Sequence, residues 1–256
     1  NCVINQVARG FAFLGTVAAS STSVTATNNT VGTAGAVTPS IPPFTSPSNT
    51  VYTKGIIVQG FTSLNVSGNT IQNIISYVGT VINGIEITTA GGVAGGAISV
   101  SNNTLSSITN NGTSGCNGII FSSSAAPFTI ANNNISNVQD LGSASIAGIS
   151  VSSSAASPSG TISGNKVSTV YARSTSGYAA RGILISSGTA ISITNNMIWD
   201  INAVGNNSNT GTTFGARGIQ ISGGTNHSIL NNTVSLYGAL LSGGSGVDVT
   251  TALGIS

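Results

Sequence analysis

The strongest constraint on the fold of this chain is a short motif, Gly-apolar-x-apolar, that returns along its whole length. Eight copies occur in 256 residues, an average spacing of 32 residues. Their glycines are Gly10, Gly55, Gly84, Gly118, Gly148, Gly182, Gly218 and Gly246. Self-similarity at a fixed period of this size is typical of solenoids and other repeat architectures. The chain is therefore predicted to fold as a stack of similar coils.

A second motif follows the first: apolar-x-apolar, two small or polar residues, Asn, and apolar residues two and five positions later. Its clearest copy runs from Ile191 to Ile201. The Asn positions are Asn29, Asn69, Asn103, Asn133, Asn165, Asn196 and Asn232. Alternation with a period of two predicts short strands with one buried face, because successive side chains of a strand point to opposite sides.

A strand of three or four residues cannot bury its own apolar face, whereas copies stacked about 4.8 Å apart form continuous apolar columns. Three such strands per coil predict three short parallel sheets, and no helix is predicted. The Asn position suits a sharp turn, since Asn tolerates positive φ better than most residues. Stacked Asn amides can also hydrogen-bond to one another along the stack.

The two motifs together resemble the right-handed parallel β-helix of the pectate-lyase-like superfamily, with its asparagine ladder, over nearly the whole chain. We therefore expect an all-β, right-handed parallel β-helix of about eight rungs and three sheets, without caps, as one domain over 1–256. Pro39, Pro42, Pro43 and Pro47 exclude regular strand, so 32–54 is predicted to be a Pro-rich surface loop. This fold carries lyases, hydrolases, adhesins and tail spikes, so the resemblance implies architecture more than activity.

A carbohydrate-cleaving site is not expected, because the chain has only four acidic residues: Glu86, Asp140, Asp200 and Asp248. Hydrolases of this type need two carboxylates roughly 5–9.5 Å apart. Glu86 and Asp248 share an outward slot five rungs apart, about 24 Å at the sheet spacing. Asp140 is assigned to a loop after the third strand, and Asp200 to an outward slot beside Trp199. A polysaccharide-binding or polysaccharide-degrading β-helix remains the alternative function.

Other chemically distinctive residues are sparse, and no metal or cofactor site is predicted. The only histidine, His227, falls in a slot filled elsewhere by Leu64 or Ile191, which favours a partly buried structural role. Trp199 and the five tyrosines are scattered, so packing is favoured over stacking on sugars. Cys2 and Cys116 are expected on different rungs, about 15 Å or more apart at the sheet spacing. A direct disulfide is excluded, because bridged Cα atoms lie within about 7 Å. Cross-links between filaments and free thiols both remain open for them.

Four of the six basic residues directly precede the motif glycine: Arg9, Lys54, Arg181 and Arg217. In a solenoid they share one corner. A solvated corner that maintains solubility is favoured, and a sparse cationic stripe touching anionic glycans or a neighbouring filament is the alternative. The net charge of +2 and the lack of a dense basic patch argue against nucleic-acid binding. No apolar run approaches the roughly 18 residues that a membrane span needs.

The last residues of the chain followed by its first residues form one further copy of the second motif. Leu253, Ile255 and Ser256 followed by Asn1, Cys2, Ile4 and Val7 reproduce the pattern of Ile191–Ile201, with Cys2 in the ladder position. This pattern predicts that copies continue one another axially, as tandem repeats or as separate subunits, with a rise of about 38 Å per unit.

The function expected from the sequence is that of a structural or adhesive segment of an extracellular filament. The composition resembles that of long β-helix repeat regions in large secreted proteins of Bacteroidota-like bacteria, which implies a cell-surface location. Copies of the chain along the fibre axis are the predicted partners, with surface glycans as a further candidate.

Overall fold

The computed structural model describes residues 3–4, 9–14, 23–32, 54–76, 79–88, 96–123, 127–142, 144–152, 158–173, 178–203, 215–236 and 251–255. These ranges contain 23 β-strands and no helix. In chain order the strands are β1 (Val3–Ile4), β2 (Arg9–Leu14), β3 (Ser23–Thr27), β4 (Thr30–Val31), β5 (Lys54–Gln59), β6 (Ser63–Ser67), β7 (Thr70–Ser76), β8 (Ile82–Thr88), β9 (Ile98–Ser101), β10 (Thr104–Asn110), β11 (Cys116–Phe121), β12 (Phe128–Ala131), β13 (Asn134–Asp140), β14 (Ile146–Val151), β15 (Gly160–Ser163), β16 (Lys166–Ala172), β17 (Ala180–Ile185), β18 (Ile191–Thr194), β19 (Met197–Ala203), β20 (Ala216–Ile221), β21 (Ser228–Leu230), β22 (Thr233–Ser235) and β23 (Thr251–Ile255).

The strands form three parallel sheets through which the chain passes in rotation. Sheet 1 has eight strands, in the order β2-β5-β8-β11-β14-β17-β20-β23. Sheet 2 has seven, β3-β6-β9-β12-β15-β18-β21, and sheet 3 has eight, β1-β4-β7-β10-β13-β16-β19-β22. Each strand therefore pairs with the strands three places before and after it. The predicted all-β parallel solenoid with three sheets is confirmed.

The core is a set of apolar columns that run through successive coils. One column of sheet 1 consists of Phe11, Ile56, Ile85, Ile119, Ile149, Ile183, Ile219 and Leu253. From Ile56 to Ile219 its side chains are at most 1 % exposed. Sheets 2 and 3 contribute columns through Val66 and Val100, and through Ile71 and Leu105. Burial of these columns is the main stabilising contribution expected from the repeat.

The motif glycines in the described part of the chain lie where the corner between sheets 3 and 1 leaves no room for a side chain. A methyl group on Gly118 would lie 2.5 Å from the carbonyl oxygen of Gly148 and 2.6 Å from Cγ2 of Ile135. The equivalent group on Gly182 would lie 2.4 Å from Cγ2 of Ile198. The glycine therefore lets the backbone pass close against the apolar column of sheet 3.

Two adjacent residues have separate roles in the turn between sheets 2 and 3: one adopts positive φ, and the next forms the ladder hydrogen bonds. The ladder Asn was expected to take positive φ itself, and this is wrong. Positive φ belongs to the residue before it, as in Asn102 (56°), Asn132 (54°) and Gly164 (65°). That residue makes the turn, so the ladder Asn keeps an inward side chain for hydrogen bonding.

Sheet 3 contains a second set of left-handed residues, which the sequence motifs did not reveal. These residues are Asn73, Ser107, Asn137, Thr169 and Asp200, with φ between 53° and 57°. They interrupt the register of their strands, since Ser106 pairs with Ser136 and Ile108 with Val138 around them. Each strand of the sheet therefore bends in the middle, and its buried residues are separated by two outward ones, as in the Ile-Trp-Asp-Ile sequence of β19.

The last strand differs from the prediction in its register. Leu253 and Ile255 pair with Ile219 and Ile221 in sheet 1, not with the sheet 2 positions of Ile191 and Ile193. Ile4 does lie in the predicted sheet 3 column, next to Val31. The predicted sheet 2 positions of Leu253 and Ile255 are therefore wrong. The join of Ser256 to Asn1 involves residues outside the described part of the chain and stays a prediction. Both segments alternate apolar residues, and alternation alone does not distinguish sheets 1 and 2.

Several predicted features lie outside the described residues: Gly246–Val249 as the eighth motif copy, Asn1, Cys2, Val7 and Ser256 of the junction, and 33–53 of the Pro-rich loop. Strand β23 is the last described strand of sheet 1.

Candidate functional site

The asparagine ladder is a regular polar column that runs through the described coils. In each link, the backbone N–H and the side-chain Nδ2 of one Asn both donate to Oδ1 of the next. For Asn103 and Asn133 the distances are 3.0 and 2.9 Å. Six such links join Asn29, Asn69, Asn103, Asn133, Asn165, Asn196 and Asn232. The predicted ladder is confirmed at all seven positions.

Each interior ladder amide also holds the sheet 2 strand of the preceding coil. Nδ2 of Asn133 donates to the carbonyl oxygen of Val100 at 2.9 Å, and Nδ2 of Asn165 donates to Ile130 at the same distance. Both side chains are at most 1 % exposed. Because buried amides are costly unless hydrogen-bonded, this full pairing explains how a polar column lies inside an apolar core.

The basic residues share one column of sheet 1, as predicted, but they do not form a solvated corner. Arg9 pairs with Lys54, and Arg181 pairs with Arg217. Lys54, Arg181 and Arg217 are only 3, 6 and 2 % exposed. The solvated corner and the exposed cationic stripe are therefore both wrong for these three residues, while Arg9 is placed only by its backbone.

Burial of these cations follows from burial of the outer face of sheet 1. Ile57, Ser150 and Gln220 occupy the outward slot of this sheet, and all three are buried. Lys and Arg can pack their long aliphatic stems against such a face when their charged groups form hydrogen bonds or ion pairs. At these positions the outward face of sheet 1 is therefore covered and not solvated.

Lys54 finds an anionic partner in Glu86, which forms an ion pair with it. Nδ2 of Asn83 also donates to Glu86 at 2.6 Å, and Nδ2 of Asn117 donates to Asn83 at 2.9 Å. Lys54 and Glu86 thus neutralise each other within a hydrogen-bonded network.

Arg181 and Arg217 form the other end of the column, two cations in adjacent strands. Nε of Arg181 donates to Gln220. Burial lowers the pKa of Arg181 to about 10, and the charge of Arg217 acts in the same direction. Burial also lowers the pKa of Arg217. Nη1 of Arg217 and Oγ1 of Thr251 are buried without a hydrogen-bond partner.

The outer face of sheet 3 carries a different cluster around Asp200. The hydroxyl groups of Tyr171 and Thr169 donate to Oδ2 of Asp200 at 2.6 and 3.0 Å. The guanidinium of Arg173 lies 5.0 Å from the centre of the Tyr171 ring. Trp199 precedes Asp200 and is partly exposed on the same side. Sequence reasoning treated these aromatic residues as scattered and did not bring Tyr171 to Asp200.

Asp140 is not in a loop, as was expected, but ends β13 with its side chain buried. Its two carboxylate oxygens accept from the backbone N–H groups of Gly142 and Ala144 at 3.1 and 3.2 Å. Burial raises the pKa of Asp140 to about 6, and the two hydrogen bonds oppose that shift.

Cys116 lies close to Asp140 and is a free thiol with no exposed surface. Its Sγ donates to the carbonyl oxygen of Gln139 at 3.1 Å. Burial, aided by the charge of Asp140, raises the pKa of Cys116 far above its ordinary value. A cross-link between filaments through Cys116 is therefore excluded while the chain is folded.

His227 occupies the predicted structural position in sheet 2. Nδ1 accepts from the backbone N–H of Ile191 at 3.3 Å, and Nε2 lies 3.2 Å from the carbonyl oxygen of Gly223. This arrangement fits a neutral imidazole that carries its proton on Nε2.

The three described acidic residues do not lie together, and each has a different environment. Glu86 is paired with Lys54 on sheet 1, Asp140 is buried, and Asp200 faces outward from sheet 3. The described parts of the chain contain no group of three or more His, Cys, Asp or Glu side chains suited to a metal ion.

The last described coil presents an apolar edge. Leu230, Leu253 and Ile255 are 57, 46 and 73 % exposed. Beside them is a groove of about 340 Å³, lined by Ile219, Ile229, Asn231, Asn232, Val234, Ala252 and Leu253. The strands β21, β22 and β23 each have only one neighbouring strand in the described sheets.

Among the described residues, no helix has the length and apolar character needed to cross a membrane. No protein-family description, curated protein or solved structure matches this sequence.

Proposed function

We propose that this chain is a structural segment of an extracellular filament, extended by the stacking of coil on coil. The observation that carries the proposal is the apolar edge of β21–β23, where the core columns reach the surface at Leu253 and Ile255. Open strand edges beside exposed apolar columns favour the addition of further strands.

The ladder supports the same proposal. In every link the backbone N–H of one Asn donates to the Asn of the following coil, as Asn196 does to Asn232 at 3.0 Å. A further coil with an Asn in this position would continue the pattern through the N–H of Asn232. The low content of charged residues, 4 %, leaves little like-charge repulsion between stacked units.

The test is the assembly state of the purified chain, measured by sedimentation and by electron microscopy. The chain is expected to form unbranched fibres with an axial repeat near 38 Å, from about eight coils at the sheet spacing. The double variant Leu230→Lys, Ile255→Lys should remain monomeric, because it places charges on the apolar edge.

The control for that variant is Leu141→Lys, which alters a leucine that is 52 % exposed beside β13, away from the edge. This variant should assemble like the unmodified chain. A chain that stays monomeric at high concentration, or fibres that form equally well from the double variant, would refute axial stacking.

A glycan-binding role is the second candidate, and the Asp200 cluster favours it. An aromatic ring, a carboxylate and a guanidinium on one outward face offer both stacking and hydrogen bonding to a sugar. Oδ1 of Asp200 has no partner among the described residues, while Oδ2 accepts two bonds. Affinity electrophoresis in polysaccharide-containing gels tests this role; retardation that persists in Trp199→Ala and Asp200→Asn would contradict it.

A further inference from the structure

The buried cation Arg217 has no counter-charge among the described residues. Its side chain is only 2 % exposed, and no described carboxylate forms an ion pair with it. Glu86 lies four strands away from Arg217 in sheet 1, and it is already paired with Lys54 in the strand next to its own. A buried charge without a partner is unfavourable by several kcal/mol, so such a residue usually meets an anion.

Two donors at this position lack partners. Nη1 of Arg217 and Oγ1 of Thr251 are both buried, and neither takes part in a hydrogen bond. The two residues are direct register partners in β20 and β23. Because unsatisfied buried donors are rare in folded proteins, a pair of them in one place points to an absent acceptor.

Gly254 lies directly against both of these side chains. A methyl group at this residue would lie 3.2 Å from Cδ and 3.4 Å from Nε of Arg217, and 3.3 Å from Oγ1 of Thr251. The outward slot that Gly254 occupies holds Gln220 in the preceding coil and Leu184 before that. A larger residue in this slot would cover the guanidinium and the hydroxyl group.

The neighbouring coil adds a second positive charge. Arg181 is the register partner of Arg217 and is oriented by its hydrogen bond to Gln220. Two guanidinium groups in adjacent strands repel each other unless an anion lies near them. Guanidinium groups bind oxygen pairs of carboxylate, sulfate and phosphate in a bidentate manner.

We propose that Arg217 and Thr251, beside Gly254, form a binding site for one small oxyanion, with Arg181 as a second source of positive charge. The shared ligand chemistry is an anionic centre bearing at least two oxygen acceptors. Because Arg217 is almost fully covered, the ligand is a small ion or a single group and not an extended polymer. The proposal does not depend on the filament function.

The experiment is isothermal titration calorimetry of the full chain with sodium sulfate, sodium phosphate and sodium acetate in separate titrations. Sodium chloride holds the ionic strength constant. At least one oxyanion should bind saturably with a stoichiometry of one. The three titrations distinguish tetrahedral anions from a carboxylate.

Three variants locate the site. Gly254→Ala places a methyl group against the side chains of Arg217 and Thr251, and Thr251→Val removes one donor while retaining the shape; each should weaken binding more than about tenfold. Arg217→Met should abolish it. If Arg217→Met does not fold, Gly254→Ala decides the question alone, because its circular dichroism is expected to match that of the unmodified chain.

Lys166→Met is the matched control, since it removes an exposed cation from β16 of sheet 3 and should leave binding unchanged. Absence of saturable binding to the unmodified chain, or equal binding to Gly254→Ala, overturns the proposal. Asp248, the acid that lies outside the described residues, is tested by Asp248→Asn. Binding that emerges only in this variant would show that the chain supplies its own carboxylate, and would also overturn the proposal.

Discussion

Asn103 donates two hydrogen bonds to a single atom of Asn133, its Oδ1, from the backbone N–H at 3.0 Å and from Nδ2 at 2.9 Å. The side chain of Asn133 in turn donates to Asn165 and to Val100. The amide of Asn133 thus forms hydrogen bonds with the coils before and after its own. Its removal is expected to leave polar groups without partners in those coils.

Asn133→Ala should destabilise the chain by about 3 kcal/mol or more, because it leaves several buried polar groups of neighbouring coils without partners. Asn133→Asp should be at least as harmful, since a carboxylate oxygen would face the carbonyl oxygen of Val100. The measurement is the free energy of unfolding in urea. A loss below about 1 kcal/mol for both variants would show that the ladder contributes little to stability.

The control for the ladder variants is the adjacent residue Asn132, whose φ is 54°. Asn132→Gly should change stability by less than about 1 kcal/mol, because Gly68 and Gly164 already fill the same turn position. Asn132→Ala should cost about 1 kcal/mol, since a Cβ disfavours the left-handed region. Equal effects at Asn132 and Asn133 would contradict the division of roles between them.

Gly118→Ala should be strongly destabilising, because the new methyl group would lie 2.5 Å from the carbonyl oxygen of Gly148. The backbone of a packed coil cannot move aside cheaply, and overpacking typically costs about 1–3 kcal/mol. Gly254→Ala, whose nearest contact is a side-chain atom at 3.2 Å, should cost clearly less. Thermal unfolding of both variants checks the difference; similar melting temperatures would argue against a steric role for the motif glycine.

Asp140 should make stability fall as the pH rises from about 4 to about 6. Its pKa is raised from the ordinary 3.8 to about 6 in the folded chain. In this window the folded chain binds a proton that the unfolded chain has released, so stability decreases with pH. Asp140→Asn should remove that slope.

Asn110 occupies the register position next to Asp140 and shows that an amide can fit there, because its Oδ1 accepts from the N–H of Gly112 at 2.8 Å. Urea unfolding at several pH values measures the slope. An unchanged slope in Asp140→Asn would assign the pH dependence to other groups.

The thiol of Cys116 should not react with Ellman's reagent in the folded chain at pH 8. Complete burial and a strongly raised pKa together suppress the thiolate. The thiol should react when guanidinium chloride unfolds the chain, and Cys2→Ser isolates the signal of Cys116. Rapid labelling of native Cys2→Ser would contradict the buried placement.

The inward columns and the ladder could be predicted from the sequence because both depend on local alternation. Ile56, Ile85 and Ile119 follow their glycines at a fixed distance, and stacking them requires no knowledge of the loops. The split of turn and ladder roles could not be predicted, since Asn102 and Asn103 are identical residues side by side. Only the backbone conformation separates them.

The buried cations and Asp140 could not be predicted, because their surroundings come from residues distant in sequence. Whether the outward slot of sheet 1 is solvated depends on what covers it, and no local pattern around Arg181 or Arg217 carries that information. The same holds for the hydroxyl group of Tyr171, which meets Asp200 from a position 29 residues earlier in the chain.

The uniform direction of the asparagine ladder gives the solenoid a chemical polarity. Every link runs from N–H donors in one coil to an amide oxygen in the next, from Asn29 to Asn232. Two copies meeting by like ends would set donor against donor, or acceptor against acceptor. An assembly that continues the ladder is therefore vectorial: all its units point the same way, its two tips are chemically different, and they should grow at different rates.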